Sequence, residues 1–355
     1  MDNIPIVFQY LLAILGFSII ILVHEYGHYI FAKLSGIHVL EFFIGFGPKI
    51  LKYKSKRSGT MYGISAVPLG GYNRILGMSR EEKIPEGMEE RVFYNKPYYK
   101  KFMVISGGGL FNIILTIICI MIYLSMGVFM PVNTVDYVQP DSPAELSGFQ
   151  VGDEVIALNG EEIESWEEFV SLTKERPGES VIYSIIRNGE EMDLQVELDV
   201  VDNAGYLGVG PKAEKVKLGF LEVIKEGFKM TGELFVAYVK LFGMLLSGKI
   251  PFSEARPASP IGVISIFQQS VAMGIQNFIL FLGLVSLLLA FGNFLPILPV
   301  DGGHLVIITL EAIRKKPVSK KAIEVYTTLG LVFIVSLLLI GFIFDIISPF
   351  KLPSM

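Results

Sequence analysis

The sequence has very little cysteine and little charge. Cys119 is the only cysteine among 355 residues, which excludes an intramolecular disulfide and any metal site built from cysteines. It lies in an apolar run and is expected to be a small packing residue. Charged residues make up 18% of the chain, against about a quarter in an ordinary soluble domain, and the mean hydropathy is +0.54. This composition predicts a membrane protein with several spans.

Four stretches lack charge over about the twenty residues that a helix needs to cross a bilayer. In chain order they are Ile4 to Val23, Phe102 to Met130, a stretch from about residue 276 to Val300, and Val325 to Phe344. The first has no basic residue before it and no persuasive cleavage site, which favours a retained helix over a signal peptide. Two prolines and three glycines lie between residues 292 and 303, so the third span is expected to be broken near its end.

The charges are divided by sign along the chain. Residues 33–101 contain thirteen Lys or Arg and six acids, an excess that is typical of a loop on the cytoplasmic side. Residues 131–214 contain nineteen acids and four basic residues, with turn signals such as Asn188-Gly189 between short strands. They predict a small soluble domain on the opposite side of the membrane. Basic residues from Arg314 to Lys321 mark a second cytoplasmic turn, so both ends of the sequence are expected outside.

Within the basic segment, residues 41–73 indicate strands and not helix. Short apolar runs are separated by Gly45-Phe46-Gly47-Pro48 and by a basic turn at residues 54–59. Strands beside a membrane need protein around them, because lipid offers no hydrogen-bond partners to the backbone.

Residues 215–260 are amphipathic. Apolar side chains such as Phe228, Phe235 and Phe242 alternate at helical spacing with Lys and Glu. The pattern predicts a helix along the membrane surface, and a helix packed on the soluble domain is the alternative.

The strongest chemical signal is His24-Glu25-Tyr26-Gly27-His28 in the first apolar run. Histidines at i and i+4 lie one helical turn apart and can reach one tetrahedral zinc, while the glutamate acts on a metal-bound water. Ionisable groups inside a membrane run are costly and therefore point to function. At about 1.5 Å per residue, His24 lies about 30 Å from Ile4, near the far face of the hydrocarbon.

A water-using zinc site needs a third protein ligand. The remaining histidines are His38 and His304, and acids in or beside the membrane runs are Glu41, Asp301 and Asp345. Asp301 is favoured because it lies at the broken end of the third span, at the depth expected for His24. Its alternative role is that of a helix N-cap.

With these motifs the sequence resembles the site-2 protease family of intramembrane zinc metalloproteases, of the bacterial RseP/RasP type. The resemblance covers nearly the whole chain. It rests on the HExxH motif, on a segment that runs from Asn293 through Pro296 to Asp301-Gly302, and on the domain between them. The Gly148-x-x-x-Gly152-Asp153 turn is similar to that of a PDZ domain, and Gly45-Phe46-Gly47-Pro48 to the family's β loop.

The resemblance implies a polytopic α-helical membrane protein with about four spans, a membrane-associated β loop and one inserted, extracytoplasmic, PDZ-like α+β domain. The implied division is residues 1–130 (two spans, with the β loop at 41–73), 131–214 (PDZ-like domain), 215–260 (interfacial segment) and 261–355 (two spans).

The resemblance also implies roles for individual residues. His24, His28 and Asp301 would bind Zn²⁺, and Glu25 would be the general base. The predicted substrate-contacting residues are Asn293, Pro296, Gly45, Phe46 and Gly47. Ser106-Gly107-Gly108-Gly109 departs from the pattern that the family has at this place. Close helix packing is the interpretation that explains these glycines.

The function expected from the resemblance is proteolysis of single-span membrane proteins that have already been trimmed, such as anti-sigma factors or signal-peptide remnants, in the bacterial plasma membrane. The lipid bilayer is an expected partner and nucleic acid is not. A membrane scaffold or chaperone without catalysis is the competing hypothesis. A transporter is less favoured because four spans without a repeat offer little basis for alternating access.

Overall fold

The computed structural model describes residues 5–79, 82–251, 257, 259–350 and 352. The chain forms two compact units, one of residues 1–124 with 219–355 and the other of residues 125–218. Ile4, where the first predicted span begins, lies outside the described residues. The second unit is a few residues longer at each end than the predicted 131–214.

Four of the described helices are long and apolar enough to cross a membrane, which confirms the predicted number. They are α1 (Ile6–Leu34), α2 (Tyr98–Ser125), α7 (Ile275–Phe294) and α9 (Lys320–Ile347). The fourth is longer at both ends than the predicted Val325 to Phe344. It begins after Ser319, whose side chain caps the helix by accepting from the Ala322 N–H.

The described part of the same unit also contains the α-helices α5 (Phe220–Leu246), α6 (Pro260–Ala272) and α8 (Asp301–Arg314). The residues between α7 and α8 are not helical, as the prolines predict. The aromatic rings of α5 pack on α7: those of Phe235, Tyr238 and Phe242 lie 5.7–6.2 Å from that of Phe291. The apolar face of α5 is thus at least partly covered by protein.

Small residues let α1 approach its neighbours. A Cβ on Gly27 would lie 2.2 Å from the carbonyl oxygen of Gly107, so α1 and α2 cross with their backbones in contact. Buried hydroxyls join α2 to α7: Thr116 donates to the Gly283 carbonyl and Ser286 to the Asn112 carbonyl, each at 2.9 Å. These contacts fix the helices that surround the histidines of α1.

The predicted β loop is an antiparallel pair of long strands, β1 (Val39–Lys54) and β2 (Met61–Ile75). The expectation that residues 45–48 separate two strands is wrong in its detail, because β1 runs on through them. Gly45 and Gly47 have φ of +82° and +87°, and the register shifts there, so that β1 bends without ending. Phe43 consequently lies opposite both Gly63 and Tyr72.

Polar contacts stabilise this bent hairpin and attach it to α1. Lys49 and Tyr72 donate to the same oxygen of Glu41, at 2.7 and 2.6 Å. Burial raises the pKa of Glu41, but these hydrogen bonds outweigh it and leave the pKa below its ordinary value. The hydroxyls of Tyr29 on α1 and Tyr62 on β2 lie 2.6 Å apart. The hairpin is therefore held beside the end of α1 that carries the histidines.

The second unit contains a six-stranded sheet, a separate pair of strands and two helices. In chain order its elements are β3 (Val128–Val138), α3 (Pro143–Leu146), β4 (Glu154–Leu158), β5 (Glu161–Glu162), α4 (Trp166–Lys174), β6 (Ser180–Arg187), β7 (Glu190–Glu197), β8 (Asp199–Val201), β9 (Ala204–Tyr206) and β10 (Val209–Val216). The strand order of the sheet is β10-β3-β4-β6-β7, with β5 beside β4, and β8 and β9 form the separate pair. Trp166, Phe169 and Tyr183 lie in its core, and burial raises the pKa of Tyr183 to about 12. Asn188 and Gly189 have positive φ and form the β6–β7 turn, as the sequence predicts.

Candidate metal centre and active site

The two histidines of the HExxH motif meet on one face of α1. Their Nε2 atoms lie 3.2 Å apart, and the rings are edge to face with centroids separated by 4.8 Å. His24 is buried and His28 is partly buried. The i, i+4 spacing alone places the rings together, but their direction depends on hydrogen bonds at the far side of each ring.

Neighbouring groups on α2 orient both rings. His28 Nδ1 lies 2.8 Å from the Val104 carbonyl oxygen, to which it donates, so Nε2 keeps its lone pair. His24 Nδ1 lies 3.4 Å from the Asn112 side-chain amide, whose Oδ1 has no hydrogen-bond partner. We assign Oδ1 to the position beside the ring, because it can then accept from Nδ1–H and satisfy both groups. Both histidines then present an unprotonated Nε2 to the same point.

Asp301 is the third member of the group, although it comes 273 residues after His28. It is the first residue of α8, and its Oδ2 lies 3.2 Å from His24 Nε2 and 3.3 Å from His28 Nε2. The N-cap residue of α8 is Val300, so the alternative role of Asp301 as the N-cap is not what the structure shows. This oxygen is buried and has no hydrogen-bond partner, as expected of a ligand atom.

The donor set and its spacing fit zinc. At Zn–N and Zn–O bonds of about 2.0–2.1 Å, tetrahedral geometry places neighbouring ligand atoms about 3.3 Å apart. The three atoms here are 3.2, 3.2 and 3.3 Å apart. Two imidazoles and one carboxylate also leave a fourth position for water or substrate. Among the described residues, these three form the group suited to holding a metal ion.

Gly108 on α2 makes room for both rings. A Cβ there would lie 2.5 Å from His28 Nε2 and 2.6 Å from His24 Cε1. The two neighbouring glycines allow other close contacts. A Cβ on Gly107 would meet the Gly27 backbone, and a Cβ on Gly109 would meet the Phe294 ring. The interpretation of these glycines as helix packing alone is therefore incomplete. The helix itself is continuous through them.

A cavity of about 310 Å³ opens beside the three atoms. Glu25 lines it together with both histidines and Asp301, so this acid borders the space beside the three atoms. The other lining residues are Asn73, Ile75, Met78, Val104, Ile105, Asn293, Pro299, Val300 and His304.

The predicted substrate-contacting residues are not all brought together. Asn293 lines the cavity, and its side chain donates to the Leu289 carbonyl at 3.0 Å. Pro296 is exposed, and its carbonyl accepts from Tyr326 at 2.6 Å. Gly45, Phe46 and Gly47 lie in the bend of β1, where Phe46 stacks on Tyr72; they are not among the cavity's lining residues.

The other acids and histidines that the sequence offered have different surroundings. Glu41 pairs with Lys49, and Asp345 accepts from the Ser259 N–H at 2.9 Å. His38 lies against the Gly59 turn, where burial and the nearby Arg91 lower its pKa. His304 lines the cavity without belonging to the group of three.

Asn73 is a site residue that sequence reasoning missed. It lies on β2, and its amide is 3.5 Å from the Glu25 carbonyl oxygen. No motif marks it. It could have been found only from the register of the bent hairpin, which decides which strand faces α1.

The fold and this group of residues define a metal-dependent hydrolase among apolar helices. The model of Peptidase family M50 matches residues 12–337, and the chain belongs to that family. It is a zinc metalloprotease of the site-2 protease type, which decides against the scaffold alternative.

The relatives are consistent with this assignment. The chain is 30% identical to zinc metalloprotease RasP of Shouchella clausii over an alignment of 406 positions. The alignment covers 91% of this chain and 95% of the relative. The chain is 27% identical over 413 residues to zinc metalloprotease RasP of Oceanobacillus iheyensis, covering 92% and 96%. A solved PDZ domain of an SdrC-like protein from Listeria monocytogenes is 20% identical, with a TM-score of 0.21, and covers 24% of this chain and 90% of that one.

Proposed function

We propose that this enzyme hydrolyses peptide bonds in or next to the transmembrane segments of membrane proteins. The observation that carries the proposal is the triangle of His24, His28 and Asp301 ligand atoms among helices that are long and apolar enough to cross a membrane. A soluble substrate would have no need of a site built there, whereas a membrane segment meets these helices directly.

In this proposal His24, His28 and Asp301 would hold the zinc, which would polarise the scissile carbonyl and lower the pKa of an attached water. Glu25, on the wall of the same cavity, takes a proton from the attacking water and passes it to the leaving amine. His28 keeps its orientation through the Val104 carbonyl, and His24 through Asn112.

A helical substrate hides its carbonyls in hydrogen bonds, so it must be extended before it is cut. The edge of the hairpin offers a place for this. A groove of about 710 Å³ runs along Tyr72 to Ile75, and its residues Asn73, Ile75 and Met78 also line the metal cavity. An extended peptide added beside this segment would lead into the site. Asn293 contacts the substrate from the opposite wall, while residues 45–47 act indirectly by shaping the bend.

Glu25→Gln tests the catalytic proposal. The variant is expected to keep its zinc, because Glu25 is not one of the three ligands, and to lose at least about a thousandfold in kcat, because the amide cannot accept the proton. Zinc by elemental analysis and cleavage of a single-span substrate in liposomes measure the two effects. Glu233→Gln, at an exposed position on α5, is the matched control. Undiminished cleavage by Glu25→Gln would overturn the proposal.

We further propose the orientation that the charge pattern predicts, with the basic hairpin and the metal site toward the cytoplasm of a bacterial cell and residues 131–214 outside. The outer domain then acts as a size filter that admits substrates already trimmed of their own outer domains, such as anti-sigma factors or signal-peptide remnants. The acidic character of this domain and its insertion between two spans support the proposal.

Excision of the outer domain tests the filter. Met130 and Glu214 are partners in the β3–β10 register, so residues 131–213 can be replaced by Asn-Gly, which joins these two partners in a two-residue hairpin between neighbouring strands. The shortened enzyme is expected to cut untrimmed substrates that the full chain rejects. The ratio of trimmed to untrimmed cleavage measures this, with zinc content as the control for folding. An unchanged ratio would count against a filter.

A further inference from the structure

A second cavity, of about 340 Å³, adjoins the metal site within the helical unit. Its walls come from α1, α6, α7 and α9 and from the residues between α7 and α8, with Phe17, Val263, Leu289 and Phe333 as examples. No charged residue is among its lining residues, and Asn293 is the one amide. A cavity of about 150 Å³ lined by such side chains is enough to bind benzene. This one has room for a large aliphatic or aromatic side chain.

The cavity lies next to the place where we locate hydrolysis. Asn293 and Val300 line both it and the metal cavity, and Val300 directly precedes the proposed ligand Asp301. An extended peptide turns successive side chains to opposite sides. A peptide whose scissile bond lies at Asp301 would therefore direct one neighbouring side chain past Asn293 into the apolar space.

Gly292 keeps part of this cavity open. It lines the cavity one residue before Asn293, and a Cβ built on it would meet no atom within 4 Å. Most other glycines of the helical core differ, because a Cβ on Gly109 or Gly302 would strike a ring or the backbone. Close helix packing thus does not require a glycine at position 292. The absence of a side chain there leaves space that another molecule can fill.

We propose that this cavity is a specificity subsite that takes a large apolar side chain of the substrate residue next to the scissile bond. The proposal rests on the proposed function. Burial of a leucine or phenylalanine side chain favours that substrate over its alanine counterpart by roughly 10- to 100-fold in kcat/KM. Residues that line the cavity but lie away from the proposed ligands, Gly292 above all, then set the preference.

The test uses the full-length enzyme with zinc, in lipid nanodiscs, and a single-span substrate whose cut position is first mapped by mass spectrometry. Each flanking residue is then changed in turn to Ala, Leu, Phe and Trp. At one position the wild type is expected to prefer Leu or Phe over Ala by about tenfold or more. Gly292→Leu, which fills the cavity, is expected to reduce that ratio about tenfold, with Gly292→Ala giving a smaller reduction in the same direction.

Gly243→Leu on α5 is the matched control, because a Cβ there also meets no atom within 4 Å but lies outside the cavity. It should keep the wild-type ratio. Zinc content and thermal unfolding show whether each variant folds. If Gly292→Leu does not fold, the substrate preference of Gly292→Ala tests the subsite. An unchanged ratio in the Gly292 variants, or a uniform loss on all substrates as expected if lipid fills the space, overturns the subsite. Cleavage that does not depend on Glu25 would instead overturn the proposed function.

Discussion

Gly108→Ala is expected to deprive the enzyme of its zinc although it adds a single methyl group. That methyl would lie 2.5 Å from His28 Nε2 and 2.7 Å from His24 Nε2, and neither ring can move without losing its contact to Val104 or Asn112. Helix α2 cannot retreat easily either, since it touches α1 backbone to backbone. Misplacement of reacting groups by about 1 Å costs about a hundredfold in catalysis, and we expect a loss of at least that size.

Zinc per protein and proteolysis measure this prediction. Alanine is a better helix former than glycine by about 1 kcal/mol, so the helix should not be weakened by the change itself. Ser106→Ala is the control in the same helix, because that hydroxyl donates back to the Phe102 carbonyl and not to the site. Full zinc occupancy and full activity in Gly108→Ala would contradict the packing described for the two rings.

Asp301→Ala is the second change with a large expected effect. It removes one of the three proposed ligand atoms, so zinc affinity should fall by more than the roughly 10- to 100-fold that a group orienting a ligand contributes. Proteolysis should fall with it. Zinc titration with a competing chelator gives the affinity, and circular dichroism shows whether the helices remain.

Asp345→Ala provides the comparison, because it removes an acid from an apolar helix without touching the site. The Asp345 carboxylate accepts from the Ser259 N–H at the beginning of α6. Its loss should cost about 1 kcal/mol of stability and leave zinc affinity unchanged. Equal loss of zinc in the two variants would argue that Asp301 acts through folding and not as a ligand.

The spans and the histidine pair were predictable because each depends on local sequence. Absence of charge over twenty residues is sufficient to recognise a membrane helix, and i, i+4 spacing is sufficient to place His24 beside His28. The closeness of Asp301 to the histidines was predictable with one more step, since the prolines after residue 295 break the third apolar run and Asp301 lies at that broken end. No contact between distant segments had to be known.

The features that the sequence could not predict depend on contacts between distant segments of the chain. The bend of β1 at Gly45 and Gly47, and the double pairing of Phe43, follow from how the hairpin folds over itself beside α1. Asn73 reaches the site only as a result of that register. Gly108 looks like its two neighbours in the sequence, and its role becomes visible only when α2 is seen against the histidine rings.

With Asp301 as the proposed third ligand, its position in the chain also determines when the enzyme can become active. The two histidines belong to α1 and the carboxylate to α8, so a growing chain carries only a histidine pair until most of it has been made. Two imidazoles alone hold zinc with fewer bonds and no fixed third position. A protease inserted into the membrane helix by helix is therefore unable to cut its surroundings before its own membrane unit is nearly complete.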